Sequence, residues 1–315
     1  MAEPTVGDEQ SDYKRALSAL EWAVAQAEQR SSEPTPPKAS GSDYRQAAEH
    51  HRGELRALLD QVVMAADAER GLAALLECGA LAALLPAVVK MVGFSDNEWR
   101  HKDVWKHTKQ VVRQAVPRLA VRWGAVLHDI GKVKTRSIGS GGQVHFFGHA
   151  EVGARMFNKM DRRLPLFIDD PELKASIRFL VLHHLRANQY RSSWTDSAVR
   201  RFAREMGAHM DDLFCLSRAD ITTKRPERKR RGLRQINELQ SRVSELAALD
   251  AEKPPLPKGV GDAIMVAFEI PPSKRIGDIK RNLERAVTAG RVDAHQDAAV
   301  YVDFLRENPA LLEGD

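Results

Sequence analysis

A mostly α-helical fold is predicted by three features of the 315-residue chain. Aromatic residues make up only 6% while Ala, Leu and Arg are abundant, a bias toward helices over a β-sandwich. Apolar residues recur at steps of three and four along most of the chain, which places them on single helix faces. One segment departs from this period: two short β-favouring runs flank Gly139-Ser140-Gly141-Gly142, the signature of a small β-hairpin. The expected architecture is a helical bundle with that hairpin inside it, extended by helices at both ends.

The elements follow in order. Residues 8–30 form a helix whose Tyr13, Leu17, Leu20, Val24 and Ala27 make one stripe, either docked on the body or serving as a self-association seam in a homodimer. "SSEPTPPKASGS", Ser31 to Ser42, is a linker by composition. The next helix starts near Asp43 with Ser42 as its cap. Helical pattern continues from Glu54 to Val92, broken at Gly79 and Pro86. Asp103–Arg118 and Leu119–Asp129 are helices, then the hairpin. A helix runs from His149 to about Arg163, and another from Glu172 to His184 is entered through Pro171. Helices at Asp196–Met206, Asp211–Ile221 and Lys229–Leu249 precede the break "EKPPLPKG" and a helical tail, Gly261–Pro309.

Composition removes several classes. The chain is 43% hydrophobic, enough for a packed core. Two cysteines, Cys78 and Cys215, exclude a disulfide framework and a cysteine zinc site, and fit a reducing cytoplasm. "MAEPTVGDEQ" is too polar and acidic for a signal peptide. The longest apolar run, Leu72 to Val92, is interrupted by Glu77, Pro86 and Lys90, so no membrane span is expected. The net charge of +5 permits phosphate-bearing partners without requiring them.

The chemistry concentrates in "VLHDIGK", Val126 to Lys132. An otherwise apolar helix ends in His128 and Asp129, and a buried imidazole or carboxylate is costly unless paired or bound to a metal. At a helix end both side chains can turn toward one divalent cation. His107 lies on the face of Val104 and Val111. His149 opens a helix after the hairpin, His183 and His184 close "IRFLVLHH", and Asp220 closes "LFCLSRAD". Several helices thus bring imidazoles and acids toward one centre. Directly after Asp220, "TTKRPERKRRGLR" sets seven basic residues against one acid, Glu227, suited either to a phosphate backbone or to a solvated helix start.

The order His, His-Asp, Asp resembles the HD phosphohydrolase superfamily. "HKDVWKHT", "AVLHDIGKVKTR", "VHFFGHAEVGARM", "LVLHHLRANQY", "WTDSAVRRF" and "SRADITTKRPERKR" are similar to the C-terminal part of bacterial CCA-adding tRNA nucleotidyltransferases and poly(A) polymerase relatives. "GLAALLECGALAALLP" resembles their neck and "GDAIMVAFEIPPSKRIGDIKRNLERAVTAG" their tail, so the likeness covers roughly residues 55–305. It implies an N-terminal helix and linker at 1–41, a neck-like region at 42–95, an HD domain at 96–250 and a helical tail at 251–315. Those enzymes begin with a nucleotidyltransferase head carrying a Gly-Ser motif and an Asp-x-Asp pair. The residues before His101 show neither in that arrangement, so addition of CCA is not expected.

By resemblance, His107, His128, Asp129 and Asp220 match the metal ligands of the HD pattern. His149 and one histidine of the pair, with spacing to Arg186 and Tyr190 favouring His184, match the extra ligands of two-metal enzymes. Asp129 would bridge the ions and Lys132 would contact substrate phosphate; both are expected to be catalytic. Arg136 is either a second anion clamp or a surface residue of the hairpin. His183, Arg186, Lys224 and Arg225 are expected on the substrate side. The cofactor implied is one or two divalent ions drawn from Mn, Fe, Co, Ni or Mg, histidine content arguing against Mg alone. The implied activity is hydrolysis of a nucleotide or RNA-end phosphoester, with 2',3'-cyclic phosphodiesterase or phosphatase activity leading. The alternative is a tRNA-like RNA-binding module whose metal site is non-catalytic or regulatory.

Overall fold

A computed structural model describes residues 6–30, 33–94, 103–251 and 254–313. Ser31 and Ser32 of the linker, the 95/96 boundary, His101 and Glu252-Lys253 of the Pro-rich break lie outside the described residues. The chain separates into two compact units, Met1–Ser244 and Glu245–Asp315. Among the described residues it is built of helices with one two-stranded antiparallel sheet.

The first unit opens with α1 (Val6–Ala27), α2 (Gly41–His50), α3 (Arg52–Met64), α4 (Ala68–Glu77), α5 (Ala80–Leu84) and α6 (Pro86–Val89). Leu17, Leu20, Val24 and Ala27 of α1 are buried where it packs on α2, α3 and α4. The apolar stripe is therefore used within the chain, as the docked arrangement requires. The cap of α2 is Ser40, two residues ahead of the expected Ser42. Its hydroxyl accepts the amide of Asp43 at 3.2 Å while Asp43 accepts the amide of Ser40 at 2.8 Å. The carboxylate three residues on selects Ser40 through this reciprocal capping box.

Next come α7 (Val104–Gln114), α8 (Leu119–Leu127), α9 (Lys132–Thr135), β1 (Ser137–Ile138), β2 (Val144–His145), α10 (His149–Arg163) and α11 (Pro171–His183). α7 stops at Gln114, four residues short of the expected end. Asp103 stands outside it as the cap, and Pro117 disfavours helical backbone at the residue before it. Ser137 pairs with His145 and Ile138 with Val144 across the hairpin. α12 (Asp196–Met206), α13 (Met210–Ala219) and α14 (Pro226–Ala251) follow, the unit boundary falling inside α14.

The centre of the first unit is α8. Every residue from Val121 to Leu127 is buried, the mark of a helix covered all round. α3, α7, α11 and α13 surround it. Its one charged member, Arg122, donates to the carbonyls of Val63 at 3.1 Å and Val116 at 3.4 Å. Enclosed in this way, α8 delivers the two residues that follow it, His128 and Asp129, into the interior.

The second unit contains α15 (Val260–Phe268), α16 (Lys274–Thr288) and α17 (Ala298–Glu307). Its own core joins Ile264, Ile279, Leu283, Tyr301 and Leu305. The Tyr301 hydroxyl lies 2.9 Å from the carbonyls of both Pro255 and Asp293, tying the segment before α15 to the connection between α16 and α17.

Candidate metal centre

The C-terminal ends of α8, α11 and α13 meet beside α7 and the first turn of α10. His128 and Asp129 leave α8, His184 leaves α11, Asp220 leaves α13, and His149 opens α10. Three helix C-termini gather the negative ends of their backbone dipoles at one point, which favours a cation there. His128, Asp129, His149 and His184 are buried.

Hydrogen bonds to the backbone aim three of the imidazoles. Nδ1 of His128 donates to the carbonyl of Ala125, that of His149 to Phe146 and that of His184 to Val181, each at 2.8 Å and each three residues back. At the ends of α8 and α11 these are carbonyls the helix itself leaves unused. A carbonyl can only accept, so Nδ1 carries the proton and Nε2 is turned inward. Nδ1 of His107 lies 2.9 Å from the Thr222 hydroxyl instead.

The inward atoms form two groups that share Asp129. Nε2 of His107 lies 3.5 Å and Nε2 of His128 3.2 Å from Asp129 Oδ2, and the two nitrogens are 3.3 Å apart. Asp220 Oδ1 joins them at 3.0 Å from His107 and 3.7 Å from His128. On the other side, Oδ1 of Asp129 lies 3.5 Å from His149 Nε2 and 4.0 Å from His184 Nε2, and these nitrogens are 3.1 Å apart. Donors about 2.1 Å from a common ion stand about 3.0–3.4 Å from one another. The separations lie in or somewhat beyond that range, the longest being 4.0 Å, and the ligand atoms of His107, His128 and Asp129, and those of Asp129, His149 and His184, all lie within 4.8 Å of one another.

Electrostatics agree with the geometry. Burial, with the charge of His128, pushes the pKa of His184 down to about 4, and burial lowers that of His149 against the pull of Asp129. Both rings are therefore neutral near pH 7. Their Nε2 lone pairs then face each other at 3.1 Å, an arrangement that is repulsive unless a cation lies between them. Burial alone would lower His128 too, but the carboxylates of Asp129 and Asp220 outweigh it and raise its pKa. Burial works against ionisation of both acids. His128, Lys132 and His107 nevertheless hold Asp129 well below the usual carboxylate range, and His107 and His128 bring Asp220 down to about 2. The donor set thus suits borderline divalent metals that accept imidazole and carboxylate together.

A stability prediction follows for the metal-free protein. His184 has a folded pKa below its ordinary 6.5, so between those values the unfolded chain takes up a proton that the folded one refuses. Its contribution is complete above pH 6.5 and is lost as pH falls through about 4. His149 acts in the same direction, while His128 opposes them by favouring the folded state at low pH. Thermal melts of chelated protein should show Tm falling from pH 6.5 to 4, with a shallower fall in His184→Gln. A Tm that is flat or rises on acidification contradicts the assignment.

The remaining expected residues divide. Lys132 Nζ lies 2.7 Å from Asp129 Oδ2 and 5.6 Å from the centre of the Phe146 ring. Lys224 and Arg225 line a cleft of about 550 Å³ that His107 and Thr222 also line. Three residues stand apart from the cluster. His183 packs on the Phe179 ring at 4.3 Å, Arg186 is ion-paired with Glu205, and Arg136 is exposed ahead of β1. The two adjacent histidines diverge because neighbouring positions on a helix point about 100° apart. Thr222, Phe146, Lys106, Gln110 and Arg113 were not expected. The last three recur with His107 at helical spacing along α7, a polar stripe that reads as an ordinary solvent face.

Residues 104–225 match the HD domain, and the donor groups that could hold a metal ion lie within that span. Over most of its length it is homologous to bacterial tRNA nucleotidyltransferases. It is 30% identical to an A-adding tRNA nucleotidyltransferase of Deinococcus radiodurans, over 84% of this chain and 60% of the relative. It is 28% identical to a CC-adding tRNA nucleotidyltransferase of Thermus thermophilus, over 81% and 57%. A multifunctional CCA protein of Azoarcus sp. matches at 32% over 36% of this chain and 28% of its own length. The chain spans about 60% of the length of the two longer matches. Among the described residues no helix is long and apolar enough to cross a membrane.

Proposed function

We propose that the protein is a divalent-metal-dependent phosphohydrolase acting on a nucleotide or RNA-end phosphoester, with 2',3'-cyclic phosphodiesters as its leading substrates. The observation that carries this reading is the pair of imidazole-rich donor groups sharing the two oxygens of Asp129. His107, His128, Asp129 and Asp220 would hold one ion, and Asp129, His149 and His184 a second. Mn, Fe, Co or Ni suits such a set better than Mg, which prefers oxygen donors. A bound divalent ion supplies an electrophile for the phosphoryl oxygens and acidifies water near neutral pH.

The chain's own residues supply the rest. Hydrolysis joins a water oxygen to phosphorus and breaks the bond to one sugar oxygen, which takes up a proton. Lys132 sets its ammonium beside Asp129, where it offsets charge gathering on the phosphoryl oxygens. The Phe146 ring beside that ammonium narrows its positions through a cation–π contact. The backbone bonds on His128, His149 and His184 hold the metal-facing nitrogens before substrate arrives. A donor set this rich in imidazole supports hydrolysis rather than nucleotide addition, which calls on oxygen-ligated magnesium.

A second reading, an RNA-binding module with a regulatory metal site, draws on the exposed basic residues Lys224 to Arg231. The test is a panel of 2',3'-cyclic nucleotides, nucleotide monoesters and RNA ends assayed with Mn, Co, Ni and Mg. The expected result is cyclic phosphodiester hydrolysis that chelation abolishes and Mn, Co or Ni restores best. Hydrolysis indifferent to chelation, or a metal-loaded protein that cleaves nothing yet binds RNA in a salt-dependent way, rejects the hydrolase.

A further inference from the structure

The cleft beside the metal centre holds more positive charge than a single phosphoryl group uses. Its lining takes one residue from the metal centre, His107, and none of Asp129, Lys132, His149 or His184. The remaining walls come from one face of α7 with its cap Asp103, from the strap Thr222–Arg225 and from Glu69 of α4. The cleft therefore touches the metal centre only through His107, and Lys132 takes no part in its lining.

Both acids on its wall are already engaged. Glu69 pairs with Arg113 at 3.2 Å and Lys109 at 4.0 Å. Asp103 Oδ1 accepts the amides of Trp105 at 2.8 Å and Lys106 at 3.1 Å. Lys106, Lys224 and Arg225 are exposed and have no carboxylate partner among the described residues. From His107 to Arg113 the α7 face runs about 9 Å at 1.5 Å per residue. With a volume of about 550 Å³ the cleft accommodates a nucleoside-sized group rather than one phosphate.

Resting on the hydrolase reading above, we infer that this cleft takes a second phosphate of the substrate, so that the preferred substrates are nucleotides phosphorylated at two positions. The cations that grip it are Lys224 and Arg225 on the strap and Lys106 on α7. Arginine provides a planar fork for phosphate oxygens and lysine a compact charge. The second phosphate has two sources: a 5'-phosphate on a free nucleotide, or the next phosphodiester of an RNA strand.

Titration calorimetry on the full metal-loaded chain tests this with adenosine 3'-monophosphate, adenosine 3',5'-bisphosphate and the dinucleotide ApAp, while phosphate release is followed on the same three compounds. The two ligands with two phosphates should bind about 10-fold more tightly than the monophosphate at low salt, with a steeper salt dependence. Lys224→Ala/Arg225→Ala, both at exposed positions, should bring that ratio close to one. Preference for ApAp over the bisphosphate assigns the strand as the source, and the reverse order assigns the free nucleotide. Equal affinity for one and two phosphates, or a preference that survives the double substitution, overturns the inference. Absence of both phosphate release and 2',3'-cyclic phosphodiester hydrolysis, with the binding ratio intact, rejects the hydrolase and leaves this site standing.

Discussion

Asp129→Ala should lose bound divalent metal and lower phosphodiester hydrolysis by at least ~1,000-fold, the scale expected when a metal-dependent reaction loses its shared ligand. The size of the effect comes from position. Asp129 presents Oδ2 to His107 and His128 and Oδ1 to His149 and His184, so one substitution unmakes both donor groups. It also takes from Lys132 its carboxylate partner at 2.7 Å and from His128 the main source of its raised pKa. Metal content by mass spectrometry, helical content by circular dichroism and initial rates on a cyclic nucleotide together check the prediction. A well-folded variant that keeps both its metal and its rate would remove Asp129 from the mechanism.

The second large effect belongs to a glycine. A Cβ on Gly131 would lie 2.0 Å from the carbonyl oxygen of His149 and 2.7 Å from the amide nitrogen of Gly153. Both are backbone atoms of α10, so relief requires the helix itself to move. Gly131→Ala should therefore destabilise the protein by roughly 3 kcal/mol or more, beyond ordinary overpacking, where flexible side chains give way. It should also reduce metal stoichiometry, because the first residue pushed aside is His149. Thermal unfolding and metal analysis of the purified variant check both parts. An unchanged Tm would show that α9 and α10 are less closely fitted than these distances require.

Much of this architecture was legible in the sequence for physical reasons. Helical periodicity locates nearly every element because each helix buries one face, and the apolar run before His128 correctly implied a helix covered on all sides. The hairpin was visible because its glycines interrupt that period. Element ends were harder. Nothing local separates Ser40 from Ser42 as a cap until Asp43 is matched with the serine three residues before it. The end of α7 depends on weighing Pro117 above continuing helix-favouring residues.

The candidate site divides in the same way. Polar residues at the inner ends of apolar helices stand out in one dimension, and the structure brings His107, His128, Asp129, His149, His184 and Asp220 together. What the sequence hides is the means of orientation. Carbonyls of Ala125, Phe146 and Val181 have no residue identity to read, and Thr222 looks like an ordinary loop threonine. The α7 face with Lys106, Gln110 and Arg113 was equally hidden, since charged stripes normally mean water. Arg186 looked available until the fold placed Glu205 beside it.

The main-chain anchoring of three imidazoles bears on how this centre tolerates genetic change. An oxygen belonging to the polypeptide itself persists whatever side chain occupies Ala125, Phe146 or Val181, so drift at those positions leaves the rings aimed. His107 lacks that protection, because its support is a hydroxyl that one codon change can delete. Among lineages sharing this scaffold, erosion of the centre would be expected to begin at position 222.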